Sequence, residues 1–254
     1  MKKEFLSLFN SIPELLRPLF DAYDTPWEIL SHLSDYLLEI TKNPPEGYRI
    51  IQANSAEGYR LIQANSTEGY RLMQGDDGAF SYSNISSGIL VGEGAKIEDF
   101  ATILSPAIIE KGATVRQGAY LRGSVFLGEG AIAGHGTEMK NTVLMDGAKA
   151  PHLSYLGDSI LGENAHLGAG VILSNLRLDK GEIFVNLSSL QNPNITAPGA
   201  SKKVTTDTTS TVNKKIPTGR RKLGSIIGDN TEIACGTVLN PGTIIPKNSM
   251  IFQK

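Results

Sequence analysis

A left-handed parallel β-helix preceded by a helical segment is the all-β fold that this 254-residue sequence predicts. Three observations predict it. From Val91 to Met145 every sixth residue is apolar, through Ile97, Ile103, Ile109, Val115, Leu121, Leu127, Ala133 and Met139. A mostly small series runs two positions ahead of it, at Ala95, Ala101, Ala107, Ala113, Ala119, Val125, Ala131, Thr137 and Val143. The same phase returns at Ile227, Ile233, Leu239, Ile245 and Ile251, each with a Ser or Thr two residues earlier. A period of six fits neither a helix nor simple strand alternation. It fits hexapeptide repeats, three to a triangular coil, with the aliphatic residue inside and the small one near the corner. No coil buries its apolar face alone, so each depends on its neighbours.

Bulk composition narrows the function. The 24 basic and 26 acidic residues give a net charge of −2, which argues against a general nucleic-acid binder. The single cysteine, Cys235, forms no internal disulfide, so a reducing, cytoplasmic setting is expected. No apolar run reaches the ~20 residues of a membrane span. The N-terminus lacks the continuous apolar core of a signal peptide.

Residues 1–43 read as helical. Phe5, Leu8, Phe9, Leu15, Leu16, Leu19 and Phe20 cluster at helical spacing, as do Trp27, Ile29, Leu30, Leu33, Leu37 and Leu38. Asp24-Thr25-Pro26-Trp27-Glu28 reads as an N-cap with proline early in the helix. A cap over the open end of the β-helix is the expected role, in preference to an oligomerisation or lid element, since bare coils expose strand edges. Residues 44–81 form a connector. It carries 11-residue tandem repeats starting at Glu46, Glu57 and Glu68, read as short strands in preference to an 11-residue helical repeat, with a turn at Gly75–Gly78. The β-helix spans 82–254. Its phase breaks near 146–155, on KAPHLSYLGD, and such breaks tend to sit at functional sites. An excursion loop at 176–222 leaves the repeat. It holds nine basic against three acidic residues, includes the polar run KKVTTDTTSTVNKK, suggests short strands at GEIFVNL, and reads either as a solvated basic loop or as one that collects phosphate groups.

His152 lies in the phase break, and an imidazole suits a general base near neutral pH. His32 reads as structural. A zinc site from His135, His152 and His166 lacks close ligand spacing, so no metal is expected. Arg122 and Lys140 lie 18 apart and would stack about 4.8 Å apart on successive coils as a basic ladder. Cys235, in IACGT, reads as a small buried residue. Asp158 and Glu163 offer no paired-carboxylate geometry.

Residues 138–175, EMKNTVLMDGAKAPHLSYLGDSILGENAHLGAGVILSN, resemble the acetyltransferase β-helix of the bifunctional glucosamine-1-phosphate acetyltransferase / N-acetylglucosamine-1-phosphate uridyltransferase family. TGRRKLGSIIGDN, residues 218–230, is similar to the archaeal sugar-1-phosphate nucleotidyltransferase branch. The likeness covers about 85–250, without a uridyltransferase nucleotide loop. It implies an acetyl-CoA-dependent N-acetyltransferase of an amino-sugar phosphate, most simply glucosamine-1-phosphate, in nucleotide-sugar and cell-envelope biosynthesis. His152 falls on the family's base and Asn175 on its supporting asparagine. Tyr155, Arg122, Lys140, His166 and Lys180 fall on sugar-phosphate positions, although His166 replaces an asparagine and Lys180 matches only approximately. Ala169 and Cys235 fall on coenzyme contacts, Cys235 replacing a serine. The resemblance implies a homotrimer with acetyl-CoA as co-substrate, and no nucleic-acid or membrane partner. The alternative is a non-catalytic trimeric module that binds a sugar phosphate or nucleotide sugar. A metal-dependent hydratase on the same fold lacks ligand spacing.

Overall fold

The computed structural model describes residues 2–51, 72–74, 80–82, 88–186 and 215–252. The middle 11-residue repeat, the Gly75–Gly78 turn and the KKVTTDTTSTVNKK run up to Lys214 lie outside the described residues.

Parallel strands stack into three ladders that close a left-handed β-helix. The first face holds Ile89–Gly92, Ala107–Ile109, Val125–Leu127, the second half of Glu138–Leu144, the second half of Tyr155–Leu161, Ile226–Ile227 and Ile244–Ile245. The second holds Lys96–Ile97, Thr114–Val115, Ile132–His135, Lys149–His152, His166–Leu167, Glu232–Ile233 and Met250–Ile251. The third holds Thr102–Ile103, Tyr120–Leu121, the first halves of Glu138–Leu144 and Tyr155–Leu161, Ile172–Leu173 and Val238–Leu239. Inside, the aliphatic series and the small corner residues pack into one apolar column from Ile89 to Ile251.

The phase changes earlier than the sequence suggests, and twice. Tyr120 pairs with Glu138, eighteen residues on, but Val125 pairs with Thr142, seventeen on. The missing residue comes out of the corner at Lys140–Thr142. In consequence Leu144, not Met145, points into the prism, and Val143 and Met145 face outward. A second short corner follows at Gly157–Ser159, with Thr142 again seventeen residues from Ser159. The corner residues Asn141 and Asp158 adopt left-handed backbone, at φ 50° and 48°. Asn and Asp tolerate that conformation better than other side chains. The Thr142 and Ser159 hydroxyls tie the turns by donating to the carbonyls of Lys140 and Gly157. After Asn175 the chain leaves this same corner. It folds an antiparallel hairpin of Phe184–Asn186 with Lys215–Pro217 and rejoins at Leu223, whose N–H donates to the Asn175 carbonyl.

The N-terminal helices do not close the end of the prism. α1 (Lys2–Leu6), α2 (Arg17–Ala22) and α3 (Pro26–Lys42) lie along its first face. Phe5, Leu16, Trp27, Leu30, Leu33 and Leu37 pack against Leu90, Ile108, Phe126, Val143, Ile160 and Ile226. The reason is in the sequence. On this face the outward positions are also apolar, so both sides of the sheet must be buried. The N-cap of α3 forms as its sequence implies: the Glu28 N–H donates to Thr25 Oγ1 and the Thr25 N–H to Glu28 Oε2. His32 stacks on Tyr23 with ring centroids 4.3 Å apart. The first 11-residue repeat supplies a strand, Tyr48–Ile51, antiparallel to Ile89–Gly92. It pairs with the edge of the first ladder, the end that the helices leave uncovered.

Candidate active site

The third face and the two corners that bound it carry most of the sequence-derived site residues. Its strands alternate, so Leu121, Met139 and Leu156 point inward while their neighbours point out. Two outward rows result. One runs Tyr120, Glu138, Tyr155, Ile172 and Val238 on successive rungs. The other runs Arg122, Lys140 and Gly157; the Arg122 N–H donates to the Met139 carbonyl in the rung above. The basic ladder is therefore formed. One of its cations is already engaged: Arg122 Nη1 donates to Glu138 Oε1 at 2.8 Å, which raises the guanidinium pKa further. Arg122 also lies 5.9 Å from the Tyr120 ring centroid.

At the corner between the third and first faces, a side-chain ladder follows the two short corners. Asn141 Nδ2 donates to Asp158 Oδ1 at 2.9 Å, and Asn175 Nδ2 donates to Asp158 Oδ2 at 2.6 Å. A carboxylate only accepts, so Asp158 fixes the Asn175 amide with its Oδ1 pointing away. That Oδ1 lies 3.4 Å from the Tyr155 hydroxyl. Burial, then the Glu138 and Asp158 carboxylates, raise the Tyr155 pKa. Tyr155 is thus a neutral hydroxyl donor. The group fits because position 157 is glycine. A Cβ there would meet Asn175 Nδ2 at 2.4 Å and the Tyr155 hydroxyl at 2.7 Å.

The opposite corner, between the second and third faces, carries a different column. His135 and His152 are register partners. Gly170 N–H donates to the His152 carbonyl, and Gly236 N–H to that of Ala169, placing His152, Ala169 and Cys235 on successive coils. Ala169 and Cys235 thus stand directly above the histidine. Cys235 is exposed, not buried as its place in a coil suggests. Among the described residues, no side-chain hydrogen bond or ion pair holds the His152 imidazole. His135 differs, with Nδ1 2.8 Å from the Gln117 carbonyl. Leu153, next to His152, is a left-handed, 62% exposed leucine at φ 51°. Its neighbours above and below, Gly136 and Gly170, take the same conformation as glycines.

His166 stands on the second face, in register with Lys149 and Glu232, and its Nδ1 is 2.8 Å from Glu232 Oε2. It is not in the His135–His152 column. Lys180 lies in the excursion, where its carbonyl accepts from Arg221 Nε at 3.1 Å. Nearby, Arg177 pairs with Asp179 and holds that carboxyl well below its usual range. Asn141, Asp158 and Glu138 are the residues that sequence reasoning missed. Their signal is a seventeen-residue spacing, from Asn141 to Asp158 to Asn175, which a strict period of six conceals.

These features define a class, a hexapeptide-repeat β-helix with polar ladders along one face. The profile of the family described as "GMPPB C-terminal domain" matches residues 103–254, and the chain belongs to that family. Its relation to the bifunctional nucleotidylyltransferase/acetyltransferases also holds. The "Bifunctional sugar-1-phosphate nucleotidylyltransferase/acetyltransferase" of Sulfurisphaera tokodaii is 34% identical over 119 residues, 47% of this chain and 24% of that protein. The "Bifunctional protein GlmU" of Methanocaldococcus jannaschii is 34% identical over 118 residues, 46% of this chain and 23% of its own length. That of Sorangium cellulosum is 38% identical over 105 residues, 39% of this chain and 22% of its own length. The matched stretch thus spans under a quarter of each relative. Among the described residues, no helix is long and apolar enough to cross a membrane.

Proposed function

We propose that the chain is an acetyl-CoA-dependent N-acetyltransferase of an amino-sugar phosphate, with glucosamine-1-phosphate as the simplest substrate. The observation that carries this reading is the division of one face. His152 stands with Ala169 and Cys235 at one edge, and the Arg122–Lys140 ladder with Tyr155 and Asn175 occupies the rest. The ladder holds the phosphate, and Tyr155 donates to a sugar oxygen. His152 accepts a proton from the amine as its nitrogen attacks the thioester carbonyl. The N–C bond forms, the C–S bond breaks, and the proton passes to the departing thiolate. Acetyl-CoA supplies the activated acyl group.

The geometry also favours a shared site. His152 and Asp158, whose register partner is Asn175, are six residues apart along one coil, about 15–20 Å at strand rise. A hexosamine phosphate bridging His152 and Asn175 therefore takes them from different copies, as in a cyclic trimer. Exposed apolar side chains on and beside this face, Ile172, Val238 and Leu178, support packing between copies. The expected setting is a cytoplasmic homotrimer.

A second reading, a binding module without acetyl transfer, draws on the Arg122–Glu138 pair and the unheld His152. Thiol release from acetyl-CoA with glucosamine-1-phosphate separates the two. Turnover that collapses in His152→Ala supports the enzyme. A folded wild type that binds the sugar phosphate without releasing thiol leaves only the module.

A further inference from the structure

A cavity of about 320 Å³ lies beyond the Asn141–Asp158 corner, between the start of α3 and the segment on which the chain returns to the prism. Trp27 and Leu30 form its apolar wall, and Asn141 and Asp158 line the prism side. Three consecutive cations, Arg220, Arg221 and Lys222, line the remaining side. Their segment is held in place, with Lys222 bridged to Leu176 and Leu223 tied to Asn175.

Among the described residues, none of these cations forms an ion pair. Arg221 Nε donates only to the Lys180 carbonyl. The one carboxylate in the cavity wall, Asp158, already accepts an amide proton on each oxygen. The excursion beyond the described residues carries a single acid, Asp207, beside Lys202, Lys203 and Lys214. Three adjacent cations around a concave surface repel one another and raise the local concentration of anions. The volume is that of a small-molecule site. Guanidinium forks fit phosphate oxygens in pairs.

We propose that this cavity binds a phosphate-bearing small molecule, with Arg220, Arg221 and Lys222 on its phosphate oxygens and Trp27 and Leu30 against its remainder. The cavity shares Asn141 and Asp158 with the corner that orients Asn175, while neither Arg122 nor Lys140 lines it.

Trp27 is the only tryptophan, so its emission reports on this cavity. The full chain is titrated with pyrophosphate and, in a second arm, with ADP, and calorimetry follows the same additions. The expected result is a saturable change in Trp27 emission that weakens as salt rises. Arg220→Gln/Arg221→Gln lowers the affinity by roughly ten- to a hundredfold, the scale of a lost charge-assisted hydrogen bond. Arg122→Ala/Lys140→Ala leaves it unchanged. Tighter binding of ADP than of pyrophosphate assigns part of the recognition to the organic moiety; equal binding assigns it to the phosphates alone. Absence of both heat and emission change in the folded protein overturns the proposal. So does binding that survives the Arg220/Arg221 change and is lost in Arg122→Ala/Lys140→Ala.

Discussion

Gly157→Ala tests whether the Tyr155–Asn175 arrangement is the reacting centre without removing any of its groups. The glycine is not in a left-handed conformation, so alanine meets no backbone strain. Its Cβ instead meets Asn175 Nδ2 at 2.4 Å and Asn175 Cγ at 2.8 Å, inside ordinary contact distance. Asn175 must retreat by about 1 Å, which stretches its 2.6 Å bond to Asp158 past useful hydrogen-bond length. A hydrogen bond to a charged group contributes roughly 1.5–3 kcal/mol. The glycine-to-alanine change returns roughly 0.4–1 kcal/mol through the unfolded chain. The lost bond outweighs that gain, leaving a net loss of about 1–2 kcal/mol, read as a lower denaturation midpoint. The catalytic effect is larger. A misplacement of about 1 Å costs on the order of a hundredfold in rate. Steady-state acetyl transfer and circular dichroism are measured on one preparation. Full activity in a folded variant would falsify the placement of Asn175 at the reacting centre.

Leu153→Gly relieves a left-handed leucine, worth ~1–2 kcal/mol, against a glycine entropy cost of ~0.5–1 kcal/mol. The variant is expected to melt slightly higher yet transfer acetyl more slowly, because a glycine beside His152 leaves its backbone freer to move; lower stability with unchanged kcat contradicts this. Glu110 carries a pH signature. Burial raises its carboxyl pKa, against the hydrogen bond from the Tyr48 hydroxyl. The folded protein binds that proton more tightly than the unfolded chain does, so the group favours folding below its unfolded pKa. This contribution is lost as pH rises through the raised value. Glu110→Gln keeps an acceptor for Tyr48 without the titration. Denaturation against pH is then expected to show the wild type losing ground to the variant as pH climbs past the ordinary glutamate range. Parallel curves refute it.

The repeat is legible because it is a direct imprint of packing: Ile103, Leu121 and Met139 recur at the interval of the coil. The third-face ladder was legible for the same reason, since Arg122 and Lys140 lie one full coil apart. What the period concealed were its exceptions. Shortening the corner at Asn141 by one residue turns Val143 and Met145 outward, where they meet the helices. A strict six-residue reading puts them inside. The side-on position of the helices depends on outward-facing Leu90, Ile108 and Phe126, which read in sequence only as part of short apolar runs. In the sequence Asp158 reads only as a carboxylate without a catalytic partner. Its structural task is to orient an amide, which becomes visible only when Asn141 and Asn175 are brought to either side of it.

The most direct test of the central claim mixes two inactive proteins, His152→Ala and Asn175→Ala, under conditions that exchange subunits. Thiol release from acetyl-CoA with glucosamine-1-phosphate is the readout. If each site takes its histidine and its asparagine from different copies of a cyclic trimer, every mixed trimer regains one intact site. An equal mixture then recovers about a quarter of wild-type activity. A mixture that exchanges subunits and stays inactive, beside an active wild type, contradicts a site shared between copies.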